Sequence, residues 1–158
     1  MRILMVCLGN ICRSPLAEGI LRKKAEAHSL QIVVDSAGTS NFHNGENPDE
    51  RAIKNALKNG VDISMLIARQ FHPKDFEEFD IIYTMDESNY ANVIALAKND
   101  TYITKVRMIL NELYPGENRS VPDPYFGGEE GFQHVFELLD AACDKIIEKI
   151  KNNTILNE

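Results

Sequence analysis

Residues 3–14 read ILMVCLGNICRS. Ile3 to Val6 is a continuous apolar run, the pattern of a parallel strand buried on both faces. Ser14 and Pro15 supply an N-cap candidate followed by proline at the first helical position, and Leu16, Ala17, Ile20 and Leu21 recur at helical spacing. A helix is therefore predicted to start at Ser14 or Pro15. Between strand and helix lies a short loop with Cys7 at one end and Arg13 at the other.

The same alternation continues along the chain. Ile32 to Val34 reads as a second strand. Asn47-Pro48-Asp49-Glu50 has the form of a capping box, leading through Ile53, Ala56 and Leu57 to Gly60 as the stop. Asp80 to Thr84 is a third strand; Asp86 or Ser88 then caps a helix carrying Val93, Ile94 and Leu96. A fourth strand is expected near Lys105 to Ile109. Phe132, Val135, Leu139, Ala142, Ile146 and Ile150 step by three or four residues, which marks a long amphipathic C-terminal helix. Strands alternating with helices imply a doubly wound α/β sandwich, whose ligands lie beyond the carboxyl ends of the strands.

The chain has 158 residues, and with no repeat or linker composition a single domain over 1–158 is expected. Hydrophobic residues make up 44% and charged residues 26%, a globular balance that excludes broad disorder. The formal charge of −7 argues against general nucleic-acid or anionic-membrane binding, so an anionic ligand must be captured locally. The opening apolar run is too short to span a membrane and lacks a small-residue cleavage site. An odd count of 3 cysteines without a secretion signal points to a reducing, cytoplasmic setting and thiol chemistry. Sequons at Asn99, Asn118 and Asn152 are then coincidental. No second cysteine pair follows Cys7 and Cys12 at ligand spacing, so neither a metal nor another cofactor is expected.

A loop that ends at a helix N-terminus gathers backbone N–H groups and the positive helix end into an anion site. Such a site also favours a thiolate over a thiol, which makes Cys7 a candidate nucleophile. Arg13 presents a planar fork of donors that matches two phosphate oxygens, a match lysine cannot make. Gly9 and Asn10 are residue types that take left-handed backbone readily, as a tight anion loop demands.

CLGNICRSP resembles the phosphate-binding loop of the low-molecular-weight protein tyrosine phosphatases. Further matches to that family run in order: Asp35-Ser36-Ala37-Gly38-Thr39-Ser40, Asn47-Pro48-Asp49 with Arg51, Ala68-Arg69-Gln70, Asp75-Phe76, Phe79-Asp80, Met85-Asp86-Glu87-Ser88-Asn89 and Val121-Pro122-Asp123-Pro124-Tyr125. The resemblance implies a flavodoxin-like three-layer sandwich with a four-stranded parallel sheet and helices on both faces. It also implies hydrolysis of protein phosphotyrosine, and of small aryl phosphates, through a phosphocysteine at Cys7, with inorganic phosphate as product. Arg13 is then the oxyanion clamp, and Ser14 a hydrogen-bond donor to the Cys7 sulfur. By resemblance Asp123 is the proton donor to the leaving phenolate and later the base for water, although Pro-Asp-Pro is also ordinary turn sequence.

The same resemblance places Leu8, Ile11, Phe42 and Tyr125 on the pocket wall, with a core role the alternative for Leu8 and Ile11. It gives Cys12 a reversible disulfide with Cys7 under oxidation, and Ser36 and Asn10 a part in loop support. Ile11 stands where protein-arginine phosphatases place threonine, which leans the reading to phosphotyrosine. Related arsenate reductases need further downstream cysteines; here only Cys143 remains, on the apolar side of the last helix. A non-catalytic phosphate-binding or redox module has no use for a proton donor such as Asp123. Three positions depart from animal members: Leu66 replaces a loop-supporting histidine, Phe126 replaces the second of two tyrosines, and His43, beside Phe42, stands at a variable pocket-rim position where it tunes peptide choice or, the preferred reading, is a plain surface histidine.

Overall fold

The computed structural model describes residues 1–157. Its centre is a parallel sheet of four strands, β1 (Arg2–Cys7), β2 (Val33–Gly38), β3 (Ile81–Thr84) and β4 (Val106–Met108), in the order β2-β1-β3-β4. β1 is one of the two inner strands, and its successive side chains enter opposite layers. Ile3, Met5 and Cys7 join one core with residues of α1 (Arg13–Ala27), α2 (Glu50–Lys58) and α6 (Glu129–Lys151). Leu4 and Val6 join the other, with Phe76 of α3 (Asp75–Glu78) and Val93 of α4 (Glu87–Ile94); Tyr102 of α5 (Asp100–Thr104) packs against it. The continuous apolar run of β1 follows from this double burial.

The four-stranded parallel sandwich agrees with the expectation from sequence, and the differences lie at element ends. Cys12 is the N-cap of α1 and Arg13 its first residue, with no side chain capping the end. Ser14 is not the cap, because its hydroxyl turns to the Cys7 sulfur at 3.0 Å. Asn47 does not open α2 either. Its amide donates to Ser64 O at 3.3 Å and Leu66 O at 3.0 Å, and Asp49 caps the helix by accepting from Arg51 N at 2.9 Å. Gly60 ends that region at φ +82°, backbone that glycine takes without penalty. Asp86, one of the two candidates, caps α4. Strand four is shorter than expected because Ile109 already starts a 3-10 turn over Ile109–Glu112. The short helices α3 and α5 were not foreseen, since four or five residues carry no periodic signal. Among the described residues, no helix is long and apolar enough to cross a membrane.

β1 is followed in sequence by its neighbour on one side and next by its neighbour on the other. Its carboxyl end, at Cys7, is therefore the topological switch point where such sheets open a crevice.

Candidate active site

Residues 8–12 fold over the end of β1 and are pinned from three directions. Thr39 N donates to Cys7 O and Ser40 N to Leu8 O, each at 2.9 Å; Asp49 N donates to Ile11 O at 2.9 Å. Gly38 lies directly beneath, where a Cβ would sit 2.7 Å from Leu8 O and 3.1 Å from Asn10 N. That close approach explains the glycine. At the turn, Asn10 takes φ +56° and Gly9 does not adopt positive φ, so only one of the two predicted left-handed residues is used that way. Gly9 serves contact instead: a Cβ there would meet the His43 ring at 3.0 Å.

Beneath the loop runs a buried chain of hydrogen bonds. Asn10 N donates to the Cys7 sulfur at 3.3 Å, and the Asn10 side-chain amide donates to Ser14 Oγ at 2.7 Å and Ser36 Oγ at 2.9 Å. Asn10 Oδ1 accepts from Arg69 N at 3.0 Å. The Ser36 hydroxyl donates to Glu18 Oε1 at 2.6 Å, and Glu18 also binds Arg22. Because Asn10 already donates to Ser14 Oγ, the Ser14 hydrogen is free to point at sulfur, 3.0 Å away, with Ala37 O more distant at 3.4 Å. Glu18 is almost fully buried, and burial holds its carboxyl above the usual value despite the opposing bonds from Ser36 and Arg22. Sequence reading missed Glu18, since α1 is buried nearly all round from Arg13 to Leu21 and offers no polar stripe against which an acid stands out. Ser36 thus stands between Asn10 and Glu18 beneath the loop, in a chain whose residue 66 is leucine.

Arg13 is buried to 3% exposure and held by two oxygens. Its Nη1 donates to Asp86 Oδ2 at 2.7 Å and to Val121 O at 3.1 Å. Asp123 Oδ2 lies 3.7 Å from Nη2. Burial on its own lowers the guanidinium pKa, but Cys7, Asp86 and Asp123 raise it on balance, so the positive charge is secure. Asp86 was expected only as a cap; it fills both tasks, with Oδ1 accepting from Asn89 N at 2.7 Å. Asp123 also satisfies the turn reading, since Oδ1 accepts from Tyr125 N at 3.0 Å.

Cys7, Arg13 and Asp123 share one cavity of about 410 Å³, with Leu8, Ile11, Phe42 and Tyr125 on its walls. Leu8 and Phe42 are exposed and not core, while Ile11 is buried and still reaches the cavity. Gly9 and Cys12 line it too, and Phe126 and Ser40 join them without having been foreseen. An almost fully exposed Phe126 follows a Pro-Asp-Pro turn and had no periodic pattern to reveal it. His43 is partly buried rather than a plain surface residue, at 3.0 Å from Glu46 and edge-on to Phe42. Burial first, then Asp49 and Cys7, push the Cys12 thiol far above the usual range. Cys143 is wholly buried, and burial pushes its thiol above the usual range. Among the described residues, no cluster of three or more His, Cys, Asp or Glu side chains is arranged to hold a metal ion.

A thiol, a buried guanidinium and a carboxylate around one crevice at the switch point of a parallel sheet define an α/β protein able to hold an oxyanion against sulfur. The chain belongs to the low molecular weight phosphotyrosine protein phosphatases, whose family profile matches residues 2–155, and is an enzyme that dephosphorylates phosphotyrosine. A relative from Synechocystis is 45% identical over 152 residues, covering 95% of this chain and 96% of its own. The low molecular weight phosphotyrosine protein phosphatase of Schizosaccharomyces pombe is 39% identical over 143 residues, or 88% of this chain and 90% of that one. The crystal structure of protein tyrosine phosphatase from Entamoeba histolytica, with Hepes in its active site, superposes with a TM-score of 0.91 at 37% identity, covering 97% of this chain and 98% of that chain.

Proposed function

We propose that this phosphatase works by two in-line displacements at phosphorus. In the first, the Cys7 thiolate forms an S–P bond while the P–O bond to the phenol breaks, and Asp123 gives its proton to the departing oxygen. In the second, Asp123 takes a proton from water, the oxygen attacks phosphorus, and the S–P bond breaks to release inorganic phosphate. Arg13 and the N–H groups at the start of α1, which have no intrahelical acceptors, carry the charge of the transferring phosphoryl group. A hydrogen bond from Ser14 to sulfur favours the thiolate as nucleophile and as leaving group. The observation that carries this reading is the meeting of Cys7, Arg13 and Asp123 in one cavity, with Asp123 Oδ2 3.7 Å from the guanidinium.

The apolar walls built by Leu8, Ile11, Phe42 and Tyr125 suit a flat phenyl ring over a short serine stem. Hepes in the Entamoeba relative carries a sulfonate, an anion shaped much like phosphate. Phosphotyrosine proteins are thus the substrate class, with neither nucleic acid nor membrane as partner, and three unpaired cysteines fit a reducing cytoplasm. Cys12, in the same loop, is the thiol that closes a reversible disulfide on Cys7 under oxidation. Release of phosphate from phosphotyrosine, phosphoserine and phosphoarginine peptides, in chelator and reductant, tests the reading. Turnover of phosphotyrosine alone, abolished in Cys7→Ser and reduced about 10²–10⁴-fold in Asp123→Ala, is expected. Activity that persists in Cys7→Ser, or that prefers another phosphopeptide, overturns it.

A further inference from the structure

The stretch around Asp49 and Arg51 makes no hydrogen bond to the Cys7 sulfur, yet it joins the loop after β1 to the turn that carries Asp123. We propose that Arg51 is a positioning residue that sets where Asp123 delivers its proton, by clamping the Asp123 turn to the phosphate loop. The inference rests on the acid role assigned to Asp123 above.

On the loop side, Asp49 N is fixed to Ile11 O at 2.9 Å. Asp49 in turn grips Arg51 with both oxygens, Oδ1 accepting from Nε at 3.0 Å and Oδ2 from Nη2 at 2.9 Å. Those bonds hold the Asp49 carboxyl below its usual pKa. On the acid side, Arg51 Nη1 donates to Gly127 O at 3.3 Å, and the guanidinium lies over the Tyr125 ring, 5.4 Å from its centroid. It also lies 5.0 Å from the centroid of Phe132, a fully buried core residue of α6. Residues 123–127 form one turn, because Tyr125 N donates to Asp123 Oδ1 at 3.0 Å and Gly127 N to Pro124 O at 2.9 Å. Whatever holds Tyr125 and Gly127 O therefore holds the Asp123 carboxyl. Only a planar, multi-donor cation can grip a carboxylate bidentately while covering two aromatic rings, so lysine is a partial substitute.

The test compares wild type, Arg51→Ala, Arg51→Lys, Asp123→Asn and the Arg51→Ala/Asp123→Asn pair. Each is assayed for kcat/KM on phenyl phosphate, whose leaving group needs a proton, and on p-nitrophenyl phosphate, whose leaving group hardly does. Arg51→Ala is expected to lower kcat/KM about 10-fold on phenyl phosphate and less than about 3-fold on p-nitrophenyl phosphate. Arg51→Lys falls between, and inhibition by inorganic phosphate stays within about twofold of wild type. In the Asp123→Asn background, Arg51→Ala costs nothing further, because both act through one proton. Equal losses on the two esters, weaker phosphate inhibition, or an additive loss in the double variant overturns the clamp, and Arg51→Lys carries the comparison if Arg51→Ala fails to fold. Failure of wild type to turn over either ester overturns the phosphatase reading as well; a leaving-group contrast in Asp123→Asn without one in the Arg51 variants removes the clamp alone.

Discussion

Asp86 offers a prediction in which stability and activity separate. One oxygen caps α4 through Asn89 N and the other receives Arg13 Nη1, each at 2.7 Å. Asp86→Asn keeps an acceptor at the cap, where Asn and Asp are equivalent, but sets an amide NH2 where Oδ2 accepted from Arg13, so both the hydrogen bond and the charge opposite the guanidinium are lost. A hydrogen bond to a charged group contributes about 1.5–3 kcal/mol. Val121 O at 3.1 Å and Asp123 at 3.7 Å remain beside the guanidinium, so the low end applies. Asp86→Asn is expected to cost about 1.5 kcal/mol, and Asp86→Ala about 2.5 kcal/mol, the extra ~1 kcal/mol being the lost cap. Activity should not follow that order. Both variants release the same arm of the Arg13 fork, and on the oxyanion role proposed for Arg13 a displacement of about 1 Å loses on the order of 10–100-fold in kcat/KM. Urea unfolding and phosphotyrosine-peptide kinetics on the two variants give the comparison. Wild-type kcat/KM in Asp86→Asn shows that Asp86 does not hold Arg13 in place; equal stability of the two variants shows that it is not the cap.

Two further outcomes follow from the loop's support. Burial holds the Glu18 pKa above its usual 4.5, so folding favours its protonated form; the stability this contributes is full below that value and is lost as pH rises through the raised one. Glu18→Gln, which does not titrate, should therefore gain on wild type in urea unfolding as pH rises above the usual 4.5, and a gap that is constant or moves the other way contradicts the assignment. Gly38→Ala sets a Cβ against Leu8 O and Asn10 N, both backbone atoms that cannot rotate away; it should cost about 1–3 kcal/mol and weaken inhibition by phosphate about 10-fold, and phosphate inhibition equal to wild type would show that the loop accommodates it.

Cys7, Arg13 and the strand-loop-helix that carries them were legible in the sequence because everything that specifies them is local. An apolar run makes β1, helical spacing makes α1, and what joins them must be a loop at a helix N-terminus. The parallel sandwich was legible for the same reason, strand and helix patterns alternating along the chain. Asp123 was different: Pro-Asp-Pro fits any turn, and only its likeness to a family's motif gave it a role. Tertiary structure decided what supports these groups. Arg13 meets Asp86 across 73 residues and Val121 O across 108, Ser36 meets Glu18 across 18, and Arg51 reaches Gly127 across 76. A carboxylate in sequence is indistinguishable from any other until folding excludes water around it and sets a donor beside it. The chain's own pattern thus determined the elements and the loop on which Cys7 and Arg13 lie, because period and punctuation act over a few residues. Which partners hold them, and so the geometry in which they act, came only with the packing of distant segments onto one end of one sheet.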